Sequence, residues 1–292
     1  MPETESPESL IAKLRTLLDV EEIDRDLYRG ARVPGGTGRV FGGQAIGQAL
    51  VAASHSIDDG RPIHSLHAYF LRPGDDALPI VYRVVRDHDG RSFATRRVIA
   101  MQRGVPILNL AASFQRPEGG MAHQASMPDV PMPEELLREI DHFRAHEDRI
   151  PGARRRWLLR ARPIEIRPVT PRFPVETRGR APIQQLWFRA AAPLGDDPLI
   201  HRAVLAYASD MALLGTSMFP HGVDWLTHDL QSASLDHALW FHEDFRADEW
   251  LLYAMDSPWA GHGRGFNRGQ IFTKDGRLVA SASQEGLIRL RE

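Results

Sequence analysis

The sequence predicts an α+β fold of two similar halves, each a central helix wrapped by a curled antiparallel β-sheet. Residues 39–56, RVFGGQAIGQALVAASHS, are an Ala-rich, weakly polar run of the kind carried by a helix buried on nearly all sides, and four β-rich segments follow it. The same order, helix and then strands, returns after residue 165. Short strings return with it, about 170 residues on: HAYF at 67–70 as HALW at 237–240, and Arg96 with its Gly104 turn as Arg268 with its Gly276 turn.

Taken in order, residues 6–19, SPESLIAKLRTLLD, open with Ser-Pro and space Leu10, Ile11, Leu14, Leu17 and Leu18 for an amphipathic helix. The central helix comes next. IHSLHAYFL, PIVYRVVRD, FATRRVIAMQ and PILNLAASFQ read as strands, with RPGDD, HDG and RG as turns between them. From 117 to 165 the pattern weakens: a Pro-, Gly- and Met-rich stretch, a helix over 133–146, and PGARRRW as a basic, solvated turn. These divisions give an N-terminal unit at 1–116, a connecting segment at 117–165 and a C-terminal unit at 166–292. In the second unit PIEIRPV and QLWFRAA read as strands and LIHRAVLAYASDMALLG as an apolar helix. DLQSASLDHALWFH, EWLLYAMDS, NRGQIFTKD and LVASASQEGLIRL supply four more strands.

A formal charge of -2 from 36 basic and 38 acidic residues provides no basic field to draw the chain onto nucleic acid or an anionic membrane. The absence of cysteine rules out disulfides, a thiolate nucleophile and Cys-ligated metal, and suits a reducing compartment. The N-terminal stretch MPETESPESL lacks the blocks of a signal peptide, and no apolar run nears the ~18 residues of a membrane span. A cytoplasmic protein is expected.

H-E-x-x-H, G-x-S-x-G, the P-loop and a Rossmann fingerprint in a βαβ unit are all absent. GGQAIG lacks the preceding parallel strand that a phosphate loop needs, so its glycines are read as permitting close approach of a strand and a helix. SLDHALWFH, 234–242, holds Ser234, Asp236 and His237, the side-chain types of a hydrolase triad. Strand alternation turns Ser234 and Asp236 to one face and His237 to the other, so on this reading they form no triad, and His237, like His67, is a structural histidine on a packed face.

Asp210 stands out as a carboxylate amid apolar helix formers in AVLAYASDMALLG. Buried there, it is expected either to be paired or to have a raised pKa, and both suit a general base; it fits equally an N-cap at a helix break. Gln284 in VASASQEG is a second polar residue among small and apolar neighbours, at a strand end.

FGGQAIGQAL, HSLHAYFLRPGD, ASFQRPEGG, YASDMALL, LDHALWFH, EWLLY and RGFNRGQIFTKDGRLVASASQEG, in consistent order from about residue 9 to the end, together resemble the acyl-CoA thioesterase II family, the TesB-type enzymes. The resemblance implies a double hotdog fold and hydrolysis of acyl-CoA to free CoA and a carboxylic acid. It implies no metal or organic cofactor, and a homo-oligomer of two or more chains. It also implies that an Asp, a Thr and a Gln together activate water, and these map to Asp210, Ser234 and Gln284. Ser234 departs from the family Thr, keeping the hydroxyl and losing the methyl that restricts its rotamer. The first half has Gln44 roughly where the second has Asp210, so one catalytic site per chain is expected. An enoyl-CoA hydratase is a rival, but it wants a His beside the Asp, and His201 is too far along the helix. A non-catalytic acyl-CoA binding or sensing protein is the other.

Overall fold

The computed structural model describes residues 5–32, 38–171, 180–226 and 228–291; the first four residues of the acidic N-terminal stretch fall outside these. Ser6 caps the first helix by accepting from the Ser9 N–H, and Pro7 begins α1, Pro7–Leu18. Ile11, Leu14 and Leu18 bury its apolar stripe. A hairpin follows, β1 (Val20–Asp24) and β2 (Leu27–Gly30), turning at Asp26 with φ 57°. Strands this short, β1 showing only one buried residue, carry no readable alternation. The central helix α2 spans Gly42–His55 and is buried continuously from Gly43 to Ala53, as its Ala-rich sequence requires. The strands β3 (Ile63–Phe70), β4 (Ile80–Asp89), β5 (Phe93–Gln102) and β6 (Val105–Gln115) stand where their patterns put them.

Residues 117–132 form no helix or strand and run across the outside of the second half. Gln124 exchanges hydrogen bonds with Gly276 O and the Leu278 N–H, and Trp187 Nε1 donates to Pro131 O at 2.9 Å. Met127 and Val130 cover a satellite core of Trp187, Leu252 and Phe272. The helix expected over 133–146 begins only at α3, Glu139–Ala145. The expected basic turn is instead the short helix α4, Gly152–Leu158.

The second half contributes β7 (Ile164–Pro168), β8 (Ile183–Ala190) and α5 (Pro198–Ser209), which Asp197 caps. A 3-10 segment, Leu213–His221, comes next. The single helix expected over 199–215 therefore stops at Asp210. β9 (Leu230–Ser234) and β10 (Asp236–Phe241) divide what the sequence reads as one strand; β11 (Leu251–Gly261), β12 (Arg264–Thr273) and β13 (Leu278–Leu290) complete the chain.

All the described strands join one open antiparallel sheet, ordered β1-β2-β4-β5-β6-β3-β10-β13-β12-β11-β8-β7 with β9 also on β13. The two halves meet where β3 pairs β10, Leu66 opposite Leu239 and His67 opposite Ala238. One continuous core holds α2, α5 and residues of both half-sheets, which is the double hotdog arrangement. Among the described residues no helix is long and apolar enough to cross a membrane.

The textual repeat is out of step with the structural one. His237 is fully buried while His67 is exposed and meets the Trp240 ring edge-on; Arg96 is buried while Arg268 lies outside, paired with Asp256. Leu66, Ala112 and Arg96 form one row across β3, β6 and β5, and the row that faces inward in the second half is His237, Gln284 and Asn267. The match of short strings is off by one residue, and in a strand one residue exchanges the two faces.

Candidate active site

Asp210 ends α5, at φ -84° and ψ -6°, and its side chain crosses to the N-terminus of α2. It is a C-cap, not the N-cap that composition also allowed. A Cβ on Gly42 would lie 2.5 Å from Asp210 Oδ2, and one on Gly43 would collide with Tyr207 O. The glycine pair thus lets two helix ends meet, where the sequence reading expected a strand against a helix. Phe41, at the N-cap of α2, provides no side-chain cap and packs edge-on against Tyr207. The uncapped positive end of α2 faces the carboxylate, and the Gly43 N–H donates to it.

Ser234 and Gln284 converge on the same oxygen. Ser234 Oγ donates to Asp210 Oδ1 at 3.2 Å, and Gln284 Nε2 donates to it at 2.6 Å. Burial pushes the Asp210 carboxyl up to about 6, against the opposing pull of Gln284, Ser234 and the Gly43 N–H. As a whole residue Asp210 is only partly buried.

The strand carrying Ser234 holds a correction. Ser234 pairs with Gly286 but Ala238 pairs with Ser283, so an extra residue is accommodated at Leu235. Asp236 pins this bulge by accepting from the Glu285 N–H at 2.7 Å. Unbroken alternation would turn Ser234 and His237 to opposite faces; the bulge turns both inward. His237 is joined to the site, its Nδ1 3.2 Å from Gln284 Nε2 and its Nε2 2.9 Å from Ser209 Oγ. The only sequence signal for this was its place three residues after Ser234. Burial pushes its imidazole down to about 4.

His201, weighed for a hydratase, sits at the far end of α5, its ring bonded to Gly195 O and the Ala247 N–H. Gln44 is no counterpart of Asp210, since it lies in the first turn of α2 and donates to Ala31 O. The residue that ends α2 as Asp210 ends α5 is Ser56, bonded by the buried Arg96 through Nε at 2.9 Å; Arg96 also pairs with Asp89. In the first half a serine ends the helix where the second half has the carboxylate, and the arginine that bonds it stands in the row position of Asn267. Among the described residues no group of three or more His, Cys, Asp or Glu is placed to hold a metal ion.

The acyl-CoA thioesterase family model matches residues 161–287, and the model of the acyl-CoA thioesterase N-terminal domain matches 31–115. Human acyl-coenzyme A thioesterase 8 is 44% identical over 284 residues, spanning 94% of this chain and 88% of that protein. The chain belongs to the acyl-CoA thioesterase II family. It is a thioester hydrolase. Among solved structures, an acyl-CoA thioesterase II from Mycobacterium marinum is 43% identical with a TM-score of 0.78, over 96% of this chain and 99% of that one. A hot dog fold protein of unknown function from Alicyclobacillus acidocaldarius, 19% identical, has a TM-score of 0.77 over 96% of this chain and 99% of its own, and bears on the fold alone.

Proposed function

We propose that Asp210, Ser234 and Gln284 carry the thioesterase reaction by activating water directly. The observation that carries this reading is the convergence of Ser234 Oγ and Gln284 Nε2 on Oδ1 of a carboxylate whose proton affinity burial has raised. Both side-chain partners stand on Oδ1, which leaves Oδ2, at the start of α2, as the oxygen that takes a proton from water. The water oxygen adds to the thioester carbonyl as its proton passes to Asp210. The tetrahedral intermediate then collapses with loss of the CoA thiolate, which the same proton neutralises, and the carboxylic acid is released. Thiolates leave readily, so no covalent acyl-enzyme is required. The positive end of α2 stabilises the oxyanion.

The substrates are acyl-CoAs and the products CoA and a fatty acid. The two hotdog units occupy 1–116 and 166–292 with 117–165 between them. The absence of cysteine agrees with work in the cytoplasm. The outer sheet face, with Tyr69 64% exposed beside His67, is suited to a second copy in a homo-oligomer.

Release of CoA is directly visible with a thiol-reactive dye, because the chain itself contributes no thiol. Asp210→Asn is expected to lower kcat about 1000-fold. Ser234→Thr should keep the wild-type rate and Ser234→Ala should lose about tenfold. An unchanged rate in Asp210→Asn would remove the assignment.

A further inference from the structure

Against the water-activating residues lies a buried titratable side chain that their roles do not use. His237 has no exposed surface, yet both ring nitrogens meet polar atoms, Nε2 with Ser209 Oγ and Nδ1 with Gln284 Nε2. We propose that His237 is a positioning residue of the thioesterase reaction: a neutral imidazole protonated at Nε2, it accepts from Gln284 at Nδ1 and fixes which way round that amide sits beside Asp210. The inference rests on the reading of Asp210 as the base and Gln284 as its partner.

The donor directions form a closed chain. Ser209 Oγ donates to Ala206 O at 3.0 Å, so its hydroxyl meets His237 as an acceptor and Nε2 must hold the ring proton. A neutral imidazole has one N–H, leaving Nδ1 a bare acceptor; burial keeps the ring neutral. Only the NH2 end of Gln284 can face it. That NH2 gives its other hydrogen to Asp210 Oδ1, and both donors are then engaged. What remains is Gln284 Oε1, buried and with no partner among the described residues.

Orientation matters for the nucleophile. An amide oxygen beside the carboxylate accepts one hydrogen of a water whose other hydrogen points at Asp210, and the water lone pair stays free to attack. The reversed amide would donate to that lone pair and occupy it. The first half supports the coupling, because Leu66 and Ala112 stand in the row where the second half has His237 and Gln284. Where the amide is missing, the histidine is missing too.

Two isosteres separate this role from packing. In His237→Asn, Oδ1 falls where Nδ1 was, and kcat should stay within about fivefold of wild type. In His237→Gln the side-chain oxygen reaches past that point, and kcat should fall about 100-fold with KM changed by less than about twofold. In a Gln284→Leu background His237→Gln should lower kcat no further. Nitrogen-15 NMR of the wild-type ring at pH 8 should show the Nε2–H tautomer. An Nδ1–H tautomer, or folded Asn and Gln variants of equal kcat, would overturn the proposal; if a variant fails to fold, the wild-type tautomer decides. Full activity in Gln284→Leu would instead bring down the reading of Gln284 itself.

Discussion

Asp210 and His237 belong to one hydrogen-bonded chain, and burial moves their proton affinities in opposite directions. Asp210, raised from 3.8 to about 6, holds its proton more tightly folded than unfolded. Its contribution to stability is complete below about 4 and is lost as the pH rises through about 6. His237, lowered from 6.5 to about 4, contributes fully above about 6.5 and loses that as the pH falls through about 4. Between about 4 and 6 the two slopes oppose, and above that range the ionised carboxylate remains as a net cost. Activity should therefore rise with pH along an acid limb centred near 6 and level off toward 8; a limb centred near 4 would show that Asp210 is not the titrating base. The inactive Asp210→Asn should melt about 3 °C higher than wild type at pH 8, and a lower melting temperature would contradict a carboxylate destabilised by burial.

The elements that bring these residues together each depart from regularity at one point. α5 stops at Asp210, the strand after it is interrupted at Leu235, and α2 begins on two glycines. Asp210 and Gln284 were legible in the sequence as polar residues in apolar surroundings, since an unexplained buried polar group is costly. His237 was not, because alternation counts faces correctly only in an unbroken strand, and the bulge depends on the Asp236 bond to a neighbouring strand. The glycine pair can be tested against a second glycine on the same helix. Gly43→Ala places a Cβ against the fixed backbone oxygen of Tyr207, whereas at Gly47 the nearest atom is the flexible end of Leu18. Chemical denaturation should show Gly43→Ala less stable by about 2 kcal/mol and poorly active, with Gly47→Ala the milder change. Equal losses in the two would mean that the helix-end contact has no special place.

Across the whole molecule the site belongs to both halves. Asp210, Ser234, His237 and Gln284 come from the second, but the first supplies the end of α2 against which Asp210 lies. The second half also depends on β3 to cover β10, and on residues 124–131 to cover Trp187. A fragment of residues 166–292 alone is expected to have no measurable thioesterase activity, with activity returning only when 1–165 is supplied and the two associate. Wild-type turnover by the isolated fragment would place the whole site in one half. Membership of the thioesterase family rests on the same breadth, since the matches span both halves.

Composition and periodicity were enough to establish two helix-and-sheet units, their order and the apolar central helices, because burial of one face repeats along a chain with the period of its element. The family resemblance added the reaction and three candidate residues. Neither could set the register between the repeats, the inward turn of His237, the meeting of α2 with Asp210, or the bond from Arg96 to Ser56 at the matching helix end in the first half. Each of these depends on a shift of one residue, or on contact between segments far apart in sequence. Hydrogen bonds across strands and the fit of one helix end against another fix them, and neither leaves a periodic trace in the chain.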